Sequence, residues 1–470
     1  MNKTISITLF LFFSINNFII SQSLKTFNLS EMRDDIDTLV KSIEDTHINP
    51  YYKYSRADFY NDVRVLKKQL KHPLNTVDFY LLIQPLIAKL EDGHTDIKPP
   101  IHLYNQSNPS VLPYIIKLSP SKPYIISSQY SLPFSKQLPD GAEIVSINNV
   151  PASKIVNDII NLNTGETRAF RADFGANYFD FYLQSLYKTN GTYRISYLHG
   201  NKKNNIIIKG IPQQEFSKLL KHYSDSVSNT SSPENVYYTL KLLPEIKTAL
   251  FDFRSFEDLD RFNVFIDSAF TVIKKNEIKN IIIDIRKNSG GDSDIGDEFI
   301  QYFAKTPFRQ YDKVIEKHSR LLKERLLDHR IGKILTKEDS IFLNKSEGLL
   351  DTVVYEDIPL KNTPFRFDGN VYVLTSYYTF SSAADFAQCI KHYKLGKIIG
   401  EETGGLIVSY GDIVTSHLPH TQLVFTISSK LYYNIGADKN DWKGVNPDLK
   451  IPADKAMDAA LKLVHFIPDH

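Results

Sequence analysis

Residues 371–388 read VYVLTSYYTFSSAADFAQ, an apolar run that turns into a helix-forming one within a few residues. Val371-Tyr372-Val373-Leu374 has the length and the β-branched and aromatic content of a buried strand. Ala383 to Ala387 reads as the start of a helix, and the adjacent serines Ser381 and Ser382 stand at the junction. The same texture recurs on either side. TALFDFRSF (248–256), NIIIDIR (280–286), KIIGEE (397–402) and LVFTIS (423–428) read as strands, while 261–275 and 295–305 carry helical spacing. Continuous apolar strands joined by helices predict an α/β core whose largely parallel sheet is covered on both faces.

Upstream of this core the pattern changes twice. EMRDDIDTLVKSIEDTH (31–47), RADFYNDVRVLKKQL (56–70) and TVDFYLLIQPLIAKL (76–90) each put apolar residues on one helical face, with Pro85 expected to kink or interrupt the third. They predict a helical domain over 23–108 that ends near EDGHTDI. Residues 109–210 form short β-rich runs punctuated by Gly, Pro, Asn and Ser, with one helix, ASKIVNDIINL. The Ser-, Asn- and Lys-rich stretch 211–235 is expected to be a linker, and 236–470 the α/β core. A charged insertion at about 311–361 reads equally as a lid or as a solvated excursion.

The first residues, MNKTISITLFLFFSINNFIISQS, have a lysine, an apolar stretch and a small-residue exit. They predict a signal peptide over 1–22, cleaved near Ser21–Ser23, and an exported protein, periplasmic or extracellular. No other stretch is long and apolar enough to predict a stable membrane insertion. With 56 Lys and Arg against 54 Asp and Glu, the charge is near balance, so nucleic acid is not an expected partner. The lone Cys389 falls in the helix after Ser382 and reads as core.

Chemistry is expected at three places. Ser382 begins Ser-Ala-Ala-Asp, close to a capping box with Asp385 reaching back, which explains it without catalysis. A helix N-terminus behind a buried strand is also a good place for a nucleophile, because its free N–H groups and dipole stabilise an oxyanion. Gly290-Gly291 follows the strand NIIID and lets backbone N–H groups face a ligand. Neither a Gly-Lys-Ser/Thr phosphate loop nor a GxGxxG fingerprint accompanies it. His94 lies in EDGHTDI, and a serine nucleophile is best served by a base of that pKa. No HExxH or CxxC is present, and His417 with His420 is a weak HxxH, so no metal and no cofactor are expected.

DGHT, IIIDIRKNSGG, VYVLTSYYTFSSAADFA, KIIGEETGG and KGVNPDLKI follow one another in an order that resembles the C-terminal-processing peptidases, the tail-specific and tricorn-type serine proteases. The resemblance spans about residues 30–455. It implies a ClpP/crotonase-like core with an N-terminal helical domain and a PDZ-like domain, in which LPDGAEIVSINNVPASKIV matches the family's Gly-x-x-Ile-x-x-Ile-Asn segment. It implies Ser382 as nucleophile and Gly290, Gly291 and Ala383 as oxyanion donors. Tail-specific members carry a lysine base after Thr-x-Gly, but this chain has Thr403-Gly404-Gly405-Leu406. The resemblance therefore implies the tricorn-type base, His94, with Asp441 before Gly444-Val445 as the assisting carboxylate. Gly93 replaces the serine that tricorn-type members have before the histidine. The implied function is a serine endopeptidase acting on polypeptides. A non-catalytic peptide- or ligand-binding protein on the same fold and an esterase using the same site are the competing readings.

Overall fold

The computed structural model describes residues 25–118, 125–127, 137–139, 141–200, 202–227 and 237–465. The segment expected to be a signal peptide lies outside them. No helix among the described residues is long and apolar enough to cross a membrane.

The α/β core is a six-stranded sheet in the order Tyr238–Leu243, Thr248–Phe253, Asn280–Asp284, Asn370–Thr375, Lys397–Gly400, Leu449–Lys450. The first pair is antiparallel and every other pair is parallel. The uninterrupted apolar runs follow from two covered faces. Ile281, Ile283, Val371, Val373 and Ile398 pack with the helices Leu259–Lys275, Ser293–Ile300 and Ser382–His392. Their neighbours Ile282, Tyr372, Leu374 and Ile399 point the other way, onto Ala456, Ala460 and Val464 of the helix Ala453–His465. A strand has a side-chain period of two, so only burial on both faces requires every position to be apolar.

A second sheet, antiparallel, runs Leu350–Val354, Tyr311–Lys317, Val424–Asn434, Val408–His417. LVFTIS thus belongs to this sheet rather than to the parallel one. The charged insertion supplies two of its strands and the helices Arg320–His329 and Lys337–Leu343, so it builds the sheet instead of forming a detached lid. The short strand Asp96–Ile97, next to His94, pairs with Thr426 and Phe425 of this sheet. That pairing ties the helical N-terminal region to the core at the point where His94 is carried.

The N-terminal region folds as the helices Leu29–Thr46, Arg56–Gln69 and Thr76–Ala88. Pro85 does not interrupt the third, which runs through it for three more residues. Residues 116–209 contain an antiparallel sheet, Lys202–Lys209, Thr192–His199, Glu143–Ile147, Ile125–Ser127, Ile116–Leu118, with the expected helix Ala152–Asn161. Two helices not expected there, Arg168–Ala176 and Phe179–Tyr187, follow it. The expected linker contains a helix, Gln213–Val227, whose Phe216 is buried against Val111.

Candidate active site

The strand Asn370–Thr375 ends in a connection lashed to the neighbouring strand end. Ser376 Oγ donates to Arg286 O (2.6 Å) and Thr379 Oγ1 to Ile285 O (2.9 Å). Phe380 N–H donates to Asn288 O, and the N–H groups of Gly404 and Gly405 both donate to Thr379 O. These bonds leave little freedom to the next residue. Ser381 sits at φ 51°, ψ −134°, a conformation uncommon for a residue with a Cβ, and precedes the helix Ser382–His392. Such a backbone costs on the order of 1–3 kcal/mol and persists only where its surroundings hold it.

Ser381 Oγ lies 3.1 Å from His94 Nε2, across 287 residues of sequence. The expected pairing of His94 with Ser382 is thereby corrected by one position. Ser382 Oγ instead donates to Gly291 O (2.7 Å) and stands 3.0 Å from Ser293 Oγ. The physical reason is the turn: the first residue of a helix points its side chain along the helix flank, whereas the positive-φ residue before it is turned out toward the facing loop. The capping box is corrected with it. Ser381 is the N-cap and makes no side-chain cap bond, while Asp385 turns inward to accept from Tyr311 OH and Asn434 Nδ2, both at 2.8 Å. Burial pushes the Asp385 carboxyl up to about 6 against those two hydrogen bonds.

The glycine pair abuts Ser381. A Cβ on Gly290 (φ 103°) would stand 2.7 Å from Ser381 Cβ, and one on Gly291 (φ 138°) 2.1 Å from Phe256 O. Both positions therefore require glycine on two counts, backbone and space. Of the expected oxyanion donors, Ala383 N–H is engaged by Phe380 O at 3.1 Å and Gly290 N–H by Asn288 Oδ1 at 2.9 Å. The N–H groups of Gly291 and Ser382, like that of Ser381 itself, have no acceptor among the described residues. Ser382 therefore joins the site through its backbone, with its hydroxyl clamping the glycine loop.

His94 is held by a buried carboxylate that the DGHT motif carries but the sequence reading passed over. Asp92 is fully buried and accepts from four donors: His94 N–H (3.0 Å), His47 Nε2 (3.1 Å), Thr95 Oγ1 (2.5 Å) and Ser428 Oγ (2.6 Å). Asn49 N–H donates to His47 Nδ1, which leaves Nε2 as the proton-bearing nitrogen toward Asp92. Burial by itself would raise Asp92. Hydrogen bonds and charge from His47 and His94 outweigh it and hold the carboxyl well below the usual range. For His94, burial works against protonation, but Asp92 prevails and the imidazole is raised. Phe380 stacks on the His94 ring at 4.9 Å and Phe170 on Phe380 at 4.2 Å.

Asp441 is not brought to this group. Its carboxylate pairs with Lys443 at 2.7 Å and accepts from Asp438 N–H at 2.9 Å, on a loop stacked beside Tyr410 through Trp442. Lys430, beside Ser429, is engaged by Asp412 (2.9 Å) and Glu316 (3.3 Å). His417 and His420 do not converge on a metal; His420 bonds Asp34 at 2.8 Å. Among the described residues, one donor atom each of Asp92, His94 and Glu166 lie within 4.8 Å of one another. Asp92 is saturated by its four donors, which suits a proton-handling cluster better than a cation site. Glu166 carried no signal in the sequence, where it falls in a polar Asn-Thr-Gly-Glu loop.

Chemically, the arrangement offers a hydroxyl on a strained turn, an imidazole within reach of its proton, and two free N–H groups beside it. Residues 247–451 match the model of Peptidase family S41. The match includes Ser381 and the glycine pair and stops short of His94, Asp92 and Glu166. Among solved structures the fold is similar to a serine-to-alanine mutant of CPAF, with TM-score 0.62 and 14% identity over 93% of this chain and 96% of that one. Mature CPAF complexed with lactacystin matches with TM-score 0.62 and 12% identity over 93% and 97% of the two chains. The photosystem II D1 C-terminal processing protease matches with TM-score 0.44 and 13% identity over 90% and 93%.

Proposed function

We propose that this chain, whose residues 247–451 match Peptidase family S41, is a member of that family, the C-terminal-processing peptidases, and an exported serine endopeptidase with Ser381 as nucleophile and His94 as general base. The observation that carries the reading is the 3.1 Å separation of His94 Nε2 from Ser381 Oγ at a positive-φ turn. Neutral His94 takes the Ser381 proton as Oγ attacks the scissile carbonyl. The tetrahedral oxygen is stabilised by the N–H groups of Ser382 and Gly291, and His94 then returns the proton to the leaving amine. Asp92 stabilises the imidazolium that forms between these steps.

The β-rich unit over 109–210 keeps its PDZ-like reading within this proposal, supported by a sheet that carries Gly141-x-x-Ile144 into the helix Ala152–Asn161. A serine-reactive fluorophosphonate tests the chemistry directly. Labelling that maps by peptide mass spectrometry to Ser381 supports it, and a protein that cleaves polypeptide while Ser381 stays unlabelled rejects it. Export is tested by N-terminal sequencing of protein from the native host. A mature chain beginning after about residue 22 is the expected outcome, and one still carrying Met1 rejects export with cleavage.

A further inference from the structure

A histidine acting as base on Ser381 needs its lone pair on Nε2 and therefore its proton on Nδ1. What holds that proton is not supplied by Asp92. Asp92 Oδ1 is 3.8 Å from His94 Nδ1, an ion-pair distance but too long for a hydrogen bond. That oxygen already accepts the His94 backbone N–H, and the other takes three further donors. His94 Nδ1 is consequently buried without a hydrogen-bond partner among the described residues.

Glu166 has the complementary deficit. It is 8% exposed, and its Oε2 is buried with no partner, in the same cluster as His94 and Asp92. Two orphaned groups of matching chemistry in one buried cluster are uncommon, because a buried polar atom left unpaired forfeits its hydration without replacement. The two groups are not hydrogen-bonded as they stand, with one donor atom of each within 4.8 Å of the other. Resting on the serine-peptidase reading above, we propose that Glu166 is a positioning residue whose unpartnered Oε2 closes that gap, accepts the Nδ1 proton of His94 and fixes the imidazole in its working tautomer.

The local structure brings Glu166 there for identifiable reasons. Gly165 precedes it at φ 142°, and a Cβ on that glycine would stand 2.4 Å from the Phe170 ring. A Cβ on Gly93 would stand 3.2 Å from Glu166 Oε2 and 2.6 Å from the Phe380 ring, so the histidine loop passes closely between them. Phe170, four residues after Glu166, stacks on Phe380, which stacks on His94. One short segment thus supplies an acid and an aromatic stack to the same imidazole. The segment lies outside the residues that match the family model.

The protonation state of Glu166 matters to the direction of the hydrogen bond. A neutral carboxyl would donate its O–H to Nδ1 and leave the imidazole proton on Nε2, facing Ser381 on the wrong side. An ionised carboxylate accepts from Nδ1–H and frees Nε2. Burial, with the Asp92 charge, pushes the Glu166 carboxyl up to about 7, against the pull of His94 and the backbone N–H groups of Glu166 and Gly93. The other titratable and charged groups acting on the cluster are His47 and Tyr410 beside Asp92, Tyr52, Arg171, which is ion-paired with Glu91, and Asp385, whose charge acts on His94. Proton loss from the cluster as a whole is therefore expected to switch on the base near neutral pH.

The test uses the mature chain with Glu166→Gln and Glu166→Asp. Expected for Glu166→Gln is a fall in kcat of roughly 100-fold or more with KM little changed, below the ~10⁴-fold cost of losing a triad aspartate because Asp92 remains. The rising limb of the pH–rate profile should shift or vanish, and Glu166→Asp should recover part of both. Nitrogen-15 NMR of histidine-labelled protein, with His94 assigned by its loss in His94→Gln, should show Nδ1–H in the parent above the transition and Nε2–H gaining in Glu166→Gln. Parent kcat, pH profile and His94 ring signals in Glu166→Gln overturn the proposal. Should that variant fail to fold, parent protein whose neutral His94 carries its proton on Nε2 above the transition overturns it. The ring signals decide the tautomer even if the parent cleaves nothing, so failure of this proposal and failure of the peptidase reading are separable.

Discussion

Ser381→Ala is expected to lower kcat by about 10⁶-fold, the scale on which a triad serine or histidine acts, while Ser382→Ala lowers it by no more than about tenfold. The two serines are adjacent and both buried or nearly so, yet their hydroxyls face different partners. Ser381 Oγ meets His94 Nε2, whereas Ser382 Oγ donates to Gly291 O. Removing the second costs one buried hydrogen bond, about 1 kcal/mol or roughly five- to tenfold at most, and loosens the glycine loop without touching the proton transfer. His94→Ala should match Ser381→Ala, and the double variant should be little worse than either. A base has nothing to activate without the serine, and the serine is a weak nucleophile without the base. Steady-state kinetics on a polypeptide substrate, with circular dichroism to establish folding, measure all four. Full activity in folded Ser381→Ala, with loss in Ser382→Ala, would return the assignment to the second serine.

Asp92→Asn is expected to be the most destabilising single substitution near the site, by about 1.5–3 kcal/mol, the scale of hydrogen bonds to a charged acceptor. Its carboxylate gathers donors from the helical region, the histidine loop and the strand Val424–Asn434. An asparagine keeps one acceptor oxygen and turns an amide N–H₂ toward groups that are themselves donors. The sign with pH follows from the direction of the shift. Asp92 is depressed in the folded protein, so its contribution is present above the unfolded value of about 3.9 and is lost as pH falls below it. Glu166 acts oppositely. Its folded value near 7 lies above the unfolded value of about 4.3, so the folded state loses stability as pH rises between them. Urea denaturation across pH 3–8 should show the acid-side loss in the parent and a flatter acid side in Asp92→Asn. Equal stability of the two proteins at pH 7 would show that Asp92 is not the hub described.

The architecture was legible because burial on both faces of a strand forces an uninterrupted apolar run, and that pattern survives in one dimension. Ile281 to Ile285 and Val371 to Leu374 could be placed in a covered parallel sheet before any coordinate was known. The glycine pair and His94 were legible for a related reason: a positive-φ turn behind a strand and a lone histidine in DGHT are local signatures. Local patterns have limits. The charged insertion at 311–361 carried no sign that two of its segments pair into a sheet, since strand pairing is a contact between distant residues.

The sequence by itself pointed to a serine where the strand Asn370–Thr375 meets a helix N-terminus and to the pair Gly290-Gly291, while His94 as its base was implied only by the resemblance to a family. It could not choose between Ser381 and Ser382, because one residue of helix phase rotates a side chain by about 100°, and that phase is set by the bonds of Thr379, Phe380 and Ser376 to residues 285–288. Nor could it exclude Asp441, whose partner Lys443 is local and whose distance from His94 is a property of the folded chain. Only tertiary structure put Asp92 under four donors and set Glu166 in the same buried cluster. The electrostatics of a buried group depend on what surrounds it in space, and neighbours brought together across more than 70 residues leave no periodicity to read.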